Sequence, residues 1–246
     1  MAKCNLGKLR KINLELTKKK IREDVNEDNL ICQSANCIHD MDRVANILSK
    51  RLREWYSLYN PEFEKSISNN KKFCELINKQ PKKQPLKEIG AESSMGGELG
   101  KTDLEPILGL AKEILSLYNY RERAEKYLEE LMEKYCPNLK EVSGSIIGAK
   151  LIEHTGSLKK LVMMPASTVQ ILGAEKALFR HMKTGARPPK FGIIHDHQFI
   201  QQTKKAQQGK RARALADKIS LAVKMDYFKG EFIAKKLKKE LEEKFK

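Results

Sequence analysis

From Asp28 to Tyr59 the chain carries a seven-residue apolar repeat, and only a long, laterally packed helix satisfies such a spacing. Ile31, Ile38, Ala45 and Leu52 share one position of the repeat, and Ser34, Met41, Leu48 and Trp55 share the other. Asp28 is the expected N-cap. Asn60-Pro61 ends the run, because proline lacks a donor and turns its predecessor away from helix. A second helix is predicted from about Asp103 to Tyr135, with Leu104, Ile107, Ala111, Ile114, Tyr118, Leu128, Leu131 and Tyr135 recurring every three or four residues, although Arg121 and Glu125 interrupt the stripe. Each rod is roughly 45 Å long at about 1.5 Å per residue, and neither buries its stripe alone. The expected solution is an antiparallel coiled-coil hairpin with Ile31, Ile38, Met41, Ala45, Leu48, Leu52 and Trp55 facing Ile107, Ile114, Tyr118 and Leu128. A second copy of the chain would cover the apolar surface left over. The plainer alternative is an ordinary helical bundle without self-association.

Charge separates this neutral rod from the rest of the chain. The 246 residues carry a formal net charge of +16, and residues 30–142 hold 18 basic and 18 acidic side chains. Residues 1–29 hold 8 basic and 5 acidic, whereas residues 143–246 hold 22 basic and 9 acidic. The C-terminal part is therefore the expected polyanion binder, with nucleic acid the first candidate. Cys4, Cys32, Cys37, Cys74 and Cys136 form no C-x-x-C pair, which predicts isolated reduced thiols in a cytoplasmic chain without a zinc module. The apolar runs fall short of the roughly 20 residues a membrane helix needs, so no membrane partner is expected.

Between the two rods, residues 62–102 are polar, with Lys-Gln-Pro repeats near 79–87 and Ser-Ser-Met-Gly-Gly at 93–97. This stretch reads as a flexible connection holding one short helix near Lys72–Ile77. After Ser143 the pattern shifts to shorter helices at roughly 144–154, 157–163, 167–172 and 174–183, then a turn at Arg187-Pro188-Pro189 and a long helix from Gln207 to Phe228. A last, highly charged helix, Phe232 to Lys244, is expected to extend into solvent. No stretch alternates with a two-residue period long enough for a sheet, so the fold class is all-α.

Lys176, Arg180 and Lys183 recur at i, i+4 and i+7 and share a helix face, with His181 beside them. Lys204, Lys205, Lys210, Arg211 and Arg213 crowd the start of the long helix, where unpaired N–H groups and the helix dipole add positive potential. A solvated face would intersperse acidic partners, yet residues 144–213 hold 13 basic and 3 acidic side chains. Gly156, Gly173 and Gly185 allow sharp turns or close approach of a ligand backbone, and Gln170 both donates and accepts. Glu175 either accepts from a base amino group or positions Lys176 and Arg180. His195-x-His197 beside Asp196 suggests a metal or a metal-dependent nuclease only weakly, because such sites need three or four ligands. No metal, cofactor or catalytic residue is expected. Glu153 and His154 read as helix surface, and Trp55 as a seam residue.

The run from Pro165 to His181, ending in Gly-Ala-Glu-Lys-Ala-Leu-Phe-Arg-His, resembles the signature of the Nop domain. The resemblance extends from about Leu16 to Ile233. It takes in Leu-Arg-Glu-Trp-Tyr-Ser at 52–57, Ser-Met-Gly-Gly at 94–97, Gly-Ser-Leu at 156–158, Lys-Thr-Gly at 183–185, Pro-Pro-Lys at 188–190, Gly-Lys-Arg-Ala-Arg-Ala-Leu-Ala at 209–216 and Asp-Tyr-Phe-Lys-Gly-Glu-Phe at 226–232. The chain departs from the family at Phe191, at His195 to Gln198 and at Thr203 to Lys205. The resemblance implies a non-enzymatic scaffold of an archaeal box C/D guide RNA particle, which directs RNA 2′-O-methylation. It also implies a coiled coil that pairs two copies, and a Nop domain that grips kink-turn RNA together with a small kink-turn-binding protein of the ribosomal type. The family's N-terminal domain carries fibrillarin, the methyltransferase. Here only a short basic segment precedes Leu16, so fibrillarin is expected of the full-length family rather than of this chain.

Gln170, Gly173, Ala174, Glu175, Lys176, Arg180, His181, Lys183, Lys210, Arg211 and Arg213 become the expected RNA-facing set. The expected divisions are a basic segment at 1–29, the hairpin at 30–142, a compact helical Nop domain at 143–231 and a charged helix at 232–246. A spliceosomal relative that binds RNA by the same domain, and a purely structural coiled-coil adaptor, are the alternative readings.

Overall fold

The computed structural model describes residues 6–79 and 94–245, which divide into two compact units. One comprises residues 36–127 and the other residues 1–35 with 128–246. Among the described residues there are α-helices, one 3-10 turn and no strand. Cys4, Ser93 and the Lys-Gln-Pro stretch from residue 80 onward lie outside them. No helix among these residues is long and apolar enough to cross a membrane.

The first unit is built on parts of two long helices, α2 (Glu27–Tyr56) and α5 (Lys101–Tyr135), with α3 (Pro61–Ser66) and α4 (Asn70–Lys79) between them. Arg121 Nε donates to Asp42 Oδ1 at 2.7 Å, while Leu52 and Tyr56 share a buried cluster with Ile107, Ala111 and Ile114. Those pairings run antiparallel. On α2, Ile38, Ala45 and Leu52 are buried, as is Ile31 on the same helix in the other unit. The second buried series falls four residues after the first: Ala35, Ser49 and Tyr56 are buried. Met41 and Leu48 are only half-buried, and Trp55, expected on the seam, is 38% exposed. On α5, Ile107, Ile114 and, in the other unit, Leu128 are buried, while Tyr118 is half-buried.

The stretch read as a flexible connection is structured wherever it is described up to Lys79. Phe63, Phe73, Cys74 and Ile77 bury themselves against α2 and α5, and the rings of Phe63 and Phe73 stack at 5.7 Å. Arg53 holds the segment down. Its guanidinium lies 4.5 Å over the Phe73 ring and donates to Asn70 Oδ1, Glu64 Oε1 and the carbonyl oxygens of Glu64 and Ile67. Asn60 Oδ1 caps α3 by accepting from Phe63 N–H at 3.1 Å. On return, Ser94 and Met95 both donate to the Glu62 carboxylate.

The second unit holds α1 (Leu6–Glu23), which buries no residue, the start of α2 and the end of α5. Asn26, rather than the expected Asp28, caps α2, and the buried Asp28 carboxylate meets Tyr135 and the Leu158 N–H instead. Burial pushes its pKa up. The remainder is a compact bundle: α6 (Pro137–Ser143), α7 (Ser145–Thr155), α8 (Leu158–Met163), α9 (Ala166–Ile171), α10 (Glu175–Thr184), a 3-10 turn (Ile193–Asp196), α11 (Gln198–Gln201), α12 (Lys205–Tyr227) and α13 (Ala234–Glu243).

Helix α12 is the axle of this bundle. Its Ala212, Ala216, Ile219 and Val223 are buried, and the small side chains let α6, α8 and α9 approach closely. The Asp226 carboxylate at its end accepts from the N–H groups of Asn138 (3.0 Å) and Leu139 (2.7 Å), which α6 leaves unpaired after Pro137. Asn138 Oδ1 in turn accepts from Ile233 and Ala234 at the start of α13. That last helix was expected to extend into solvent. Ala234, Leu237 and Leu241 are instead buried, because the apolar residues of this charged helix recur on one face.

Candidate nucleic-acid interface

The signature residues fold into a loop and a helix that lean on the 188–193 segment. Gly173 has φ +85°, and a Cβ there would stand 2.6 Å from Ile193 Cγ1, so a side chain is excluded both by backbone conformation and by space. Gly192 is pressed against the same loop: its N–H donates to the Gln170 carbonyl at 2.9 Å, and Ile193 N–H donates to Leu172 at 2.7 Å. A Cβ on Gly192 would collide with the Leu172 carbonyl.

Several expected RNA-facing side chains are engaged within the protein. Gln170 Nε2 donates to the Lys190 carbonyl at 2.7 Å. Glu175 Oε1 accepts from Gly173 N–H at 2.7 Å and lies 2.7 Å from His154 Nε2. Burial raises the Glu175 pKa, but the N–H groups of Gly173 and Glu175 together with His154 outweigh it and hold the carboxyl below its ordinary value. Ala174 is half-buried at the start of α10 and its N–H donates to Ile171. His181 Nδ1 meets the Ala186 carbonyl.

Arg211 differs from its neighbours in sequence. Its guanidinium carbon lies 4.7 Å from the Phe199 ring centre and 5.4 Å from that of Phe245, and Nη1 donates to the Phe199 carbonyl at 3.1 Å. It packs against two aromatic rings, whereas Lys210 and Arg213 on the same helix are exposed.

What remains free is cationic. Lys176, Arg180 and Lys183 are exposed along α10, and Lys204, Lys205, Lys210 and Arg213 are exposed around the start of α12. Lys190 links the two clusters: its carbonyl holds Gln170, and its aliphatic stem passes over Gly209, where a Cβ would lie 3.6 Å from Lys190 Cδ. Of the 13 basic residues in 144–213, only Lys150 has a carboxylate partner among the described residues, Asp196 at 3.7 Å. Lys190 and His154 were absent from the expected set. Lys190 belongs to the Pro-Pro-Lys match and was legible there. His154 was not, because its partner lies 21 residues away on another helix.

The departures from the family pattern are used locally. Phe191 stacks on His195 at 4.5 Å, and His197 Nδ1 accepts from Phe199 N–H at 3.2 Å. Burial pushes the His197 pKa down. No group of three His, Cys, Asp or Glu among the described residues is placed to hold a metal ion.

Residues 37–246 match the family model described as Nop, snoRNA binding domain, fibrillarin. An uncharacterized NOP5 family protein of Methanocaldococcus jannaschii is 45% identical over 250 residues, covering 93% of this chain and 60% of that protein. Nucleolar protein 56 of Schizosaccharomyces pombe is 37% identical over 231 residues, covering 85% of this chain and 46% of its own length. The chain thus spans less than two thirds of these relatives. Among solved structures, a crystal structure of a fibrillarin/Nop5p complex matches with TM-score 0.56 and 28% identity, over 99% of this chain and 80% of the other. With its signature loop, its all-α fold and a family match over most of its length, the chain belongs to the Nop family.

Proposed function

We propose that this chain is a scaffold of a box C/D ribonucleoprotein that guides RNA 2′-O-methylation, and that it binds RNA without catalysing a reaction. The observation that carries the reading is the near absence, among the described residues, of carboxylate partners for the cations of residues 144–213. Twelve charges on one small bundle that have no carboxylate partner among the described residues repel one another, a cost that a polyanion removes while its condensed counterions are released. Lys176, Arg180 and Lys183 on α10, Lys190 on the bridging segment, and Lys210 and Arg213 on α12 are the proposed phosphate contacts. Gln170, Gly173, Ala174, Glu175, His181 and Arg211 shape the surface that presents them.

Phosphate contacts supply affinity with little sequence information, so specificity falls to shape and to a protein partner. The proposed target is a kink-turn RNA already carrying its small ribosomal-type binding protein. Fibrillarin, named in the related crystal complex, is the methyltransferase proposed for the same particle. Self-association through the coiled coil is proposed from Val44, Ile47 and Leu58, apolar residues of the first unit that stay exposed.

An electrophoretic shift titration with kink-turn RNA, alone and preassembled with its binding protein, tests the reading. The preassembled complex is expected to bind at least tenfold more tightly than bare RNA. Equal affinity for the two would refute the composite surface.

A further inference from the structure

Helix α10 carries three exposed cations but buries none of its own residues. Only Ala177 and Leu178 give it partial apolar contact, so its direction depends strongly on whatever fastens its ends. The far end is held by His181 on the Ala186 carbonyl and by Gly185 N–H on the His181 carbonyl at 2.9 Å. At the near end the Ala174 N–H donates to the Ile171 carbonyl within the loop at 2.9 Å, and the tie to another helix is Glu175 Oε1, which takes the Gly173 N–H and His154 Nε2, both at 2.7 Å. His154 stands on α7, whose Leu151 and Ile152 are fully buried, so the imidazole connects the helix to the core of its unit. Because an ionised carboxylate only accepts, the proton of this contact sits on Nε2.

We propose that His154 and Glu175 are positioning residues that fix the direction of α10, and with it the array of Lys176, Arg180 and Lys183 offered to RNA. The proposal rests on the RNA-binding reading above. From Lys176 to Lys183 the array spans about 10 Å along the helix, and a helix free to swing must be ordered at the moment of binding. Releasing the latch therefore weakens binding without removing any cation that touches phosphate. That consequence separates positioning from contact. Loss of a contact lowers both affinity and salt dependence, whereas loss of direction lowers affinity and leaves the number of released counterions unchanged.

The test uses the full chain, and kink-turn RNA preassembled with its binding protein as the probe. His154→Ala is expected to weaken binding roughly three- to tenfold, with an unchanged slope of log affinity against log salt. His154→Gln, whose amide nitrogen occupies the Nε2 position, is expected to restore affinity. Hydrogen exchange is expected to quicken across residues 174–184 in the alanine variant and to stay slow across α12. Wild-type affinity for His154→Ala, failure of His154→Gln to restore it, or lost protection across α12 would each overturn the proposal. Lys176→Glu in the same assay separates the two readings. If it too leaves affinity unchanged, the RNA-binding reading fails; if it weakens binding while His154→Ala does not, only the latch fails.

Discussion

Lys210, Arg211 and Arg213 are equivalent as charges and distinct as neighbours. Adjacent positions on a helix are turned by about 100°, so Lys210 and Arg213 share an exposed face while Arg211 turns onto Phe199 and Phe245. Sequence spacing supplied the first relation. It could not supply the second, because Phe245 is 34 positions away and its ring arrives only through the docking of α13. The same limit applies to Glu175, whose charge suggested a base contact and whose oxygen is already held by Gly173 and His154. His197 illustrates a titration set by burial. Its folded pKa lies below the ordinary 6.5, so the unfolded chain takes up the proton first as pH falls. Its contribution to stability is present above about pH 6.5 and is lost as pH drops toward the folded value. Urea unfolding between pH 7.5 and 5 should therefore show the wild type losing more stability than His197→Gln; parallel curves would contradict this.

At the scale of elements, helix existence was legible because apolar periodicity and proline stops are local properties. The face was less so. Choosing between the series 34, 41, 48, 55 and the series 35, 42, 49, 56 by hydrophobicity favours the first, since Met41, Leu48 and Trp55 outweigh Asp42 and Ser49. The fold buries Ser49 and Tyr56, and pairs Asp42 with Arg121. An ion pair across the two helices defeats an apolar count. The polar stretch after Pro61 misled for the same reason: Phe63, Phe73 and Ile77 are diluted by charge, and Arg53, the residue that fastens them, lies on the preceding helix. Thermal and urea unfolding check the assigned face. Tyr56→Ala should cost about 3–5 kcal/mol, the usual range for a buried aromatic, and Trp55→Ala less than about 1 kcal/mol. The reverse order would place the seam where the apolar count first put it.

For the whole molecule, the most informative property was the simplest to count. Net charge changes from zero over residues 30–142 to +13 over residues 143–246, and folding leaves the excess available because acidic partners are too few to neutralise it. The signature motif named the loop, but the division into units was less legible. The start of α2 and the end of α5 belong with the C-terminal helices rather than with the rest of the hairpin, since Asp28 and Tyr135 are bonded to each other and Asp28 to Leu158. The cations of α10, which have no carboxylate partner among the described residues, are proposed to touch phosphate. The most direct measurement is the affinity for preassembled kink-turn RNA across a salt series, for the wild type and for the double variant Lys176→Ala, Arg180→Ala. The slope of log affinity against log salt should become shallower by about two, roughly one per lost phosphate contact. An unchanged slope would contradict the account.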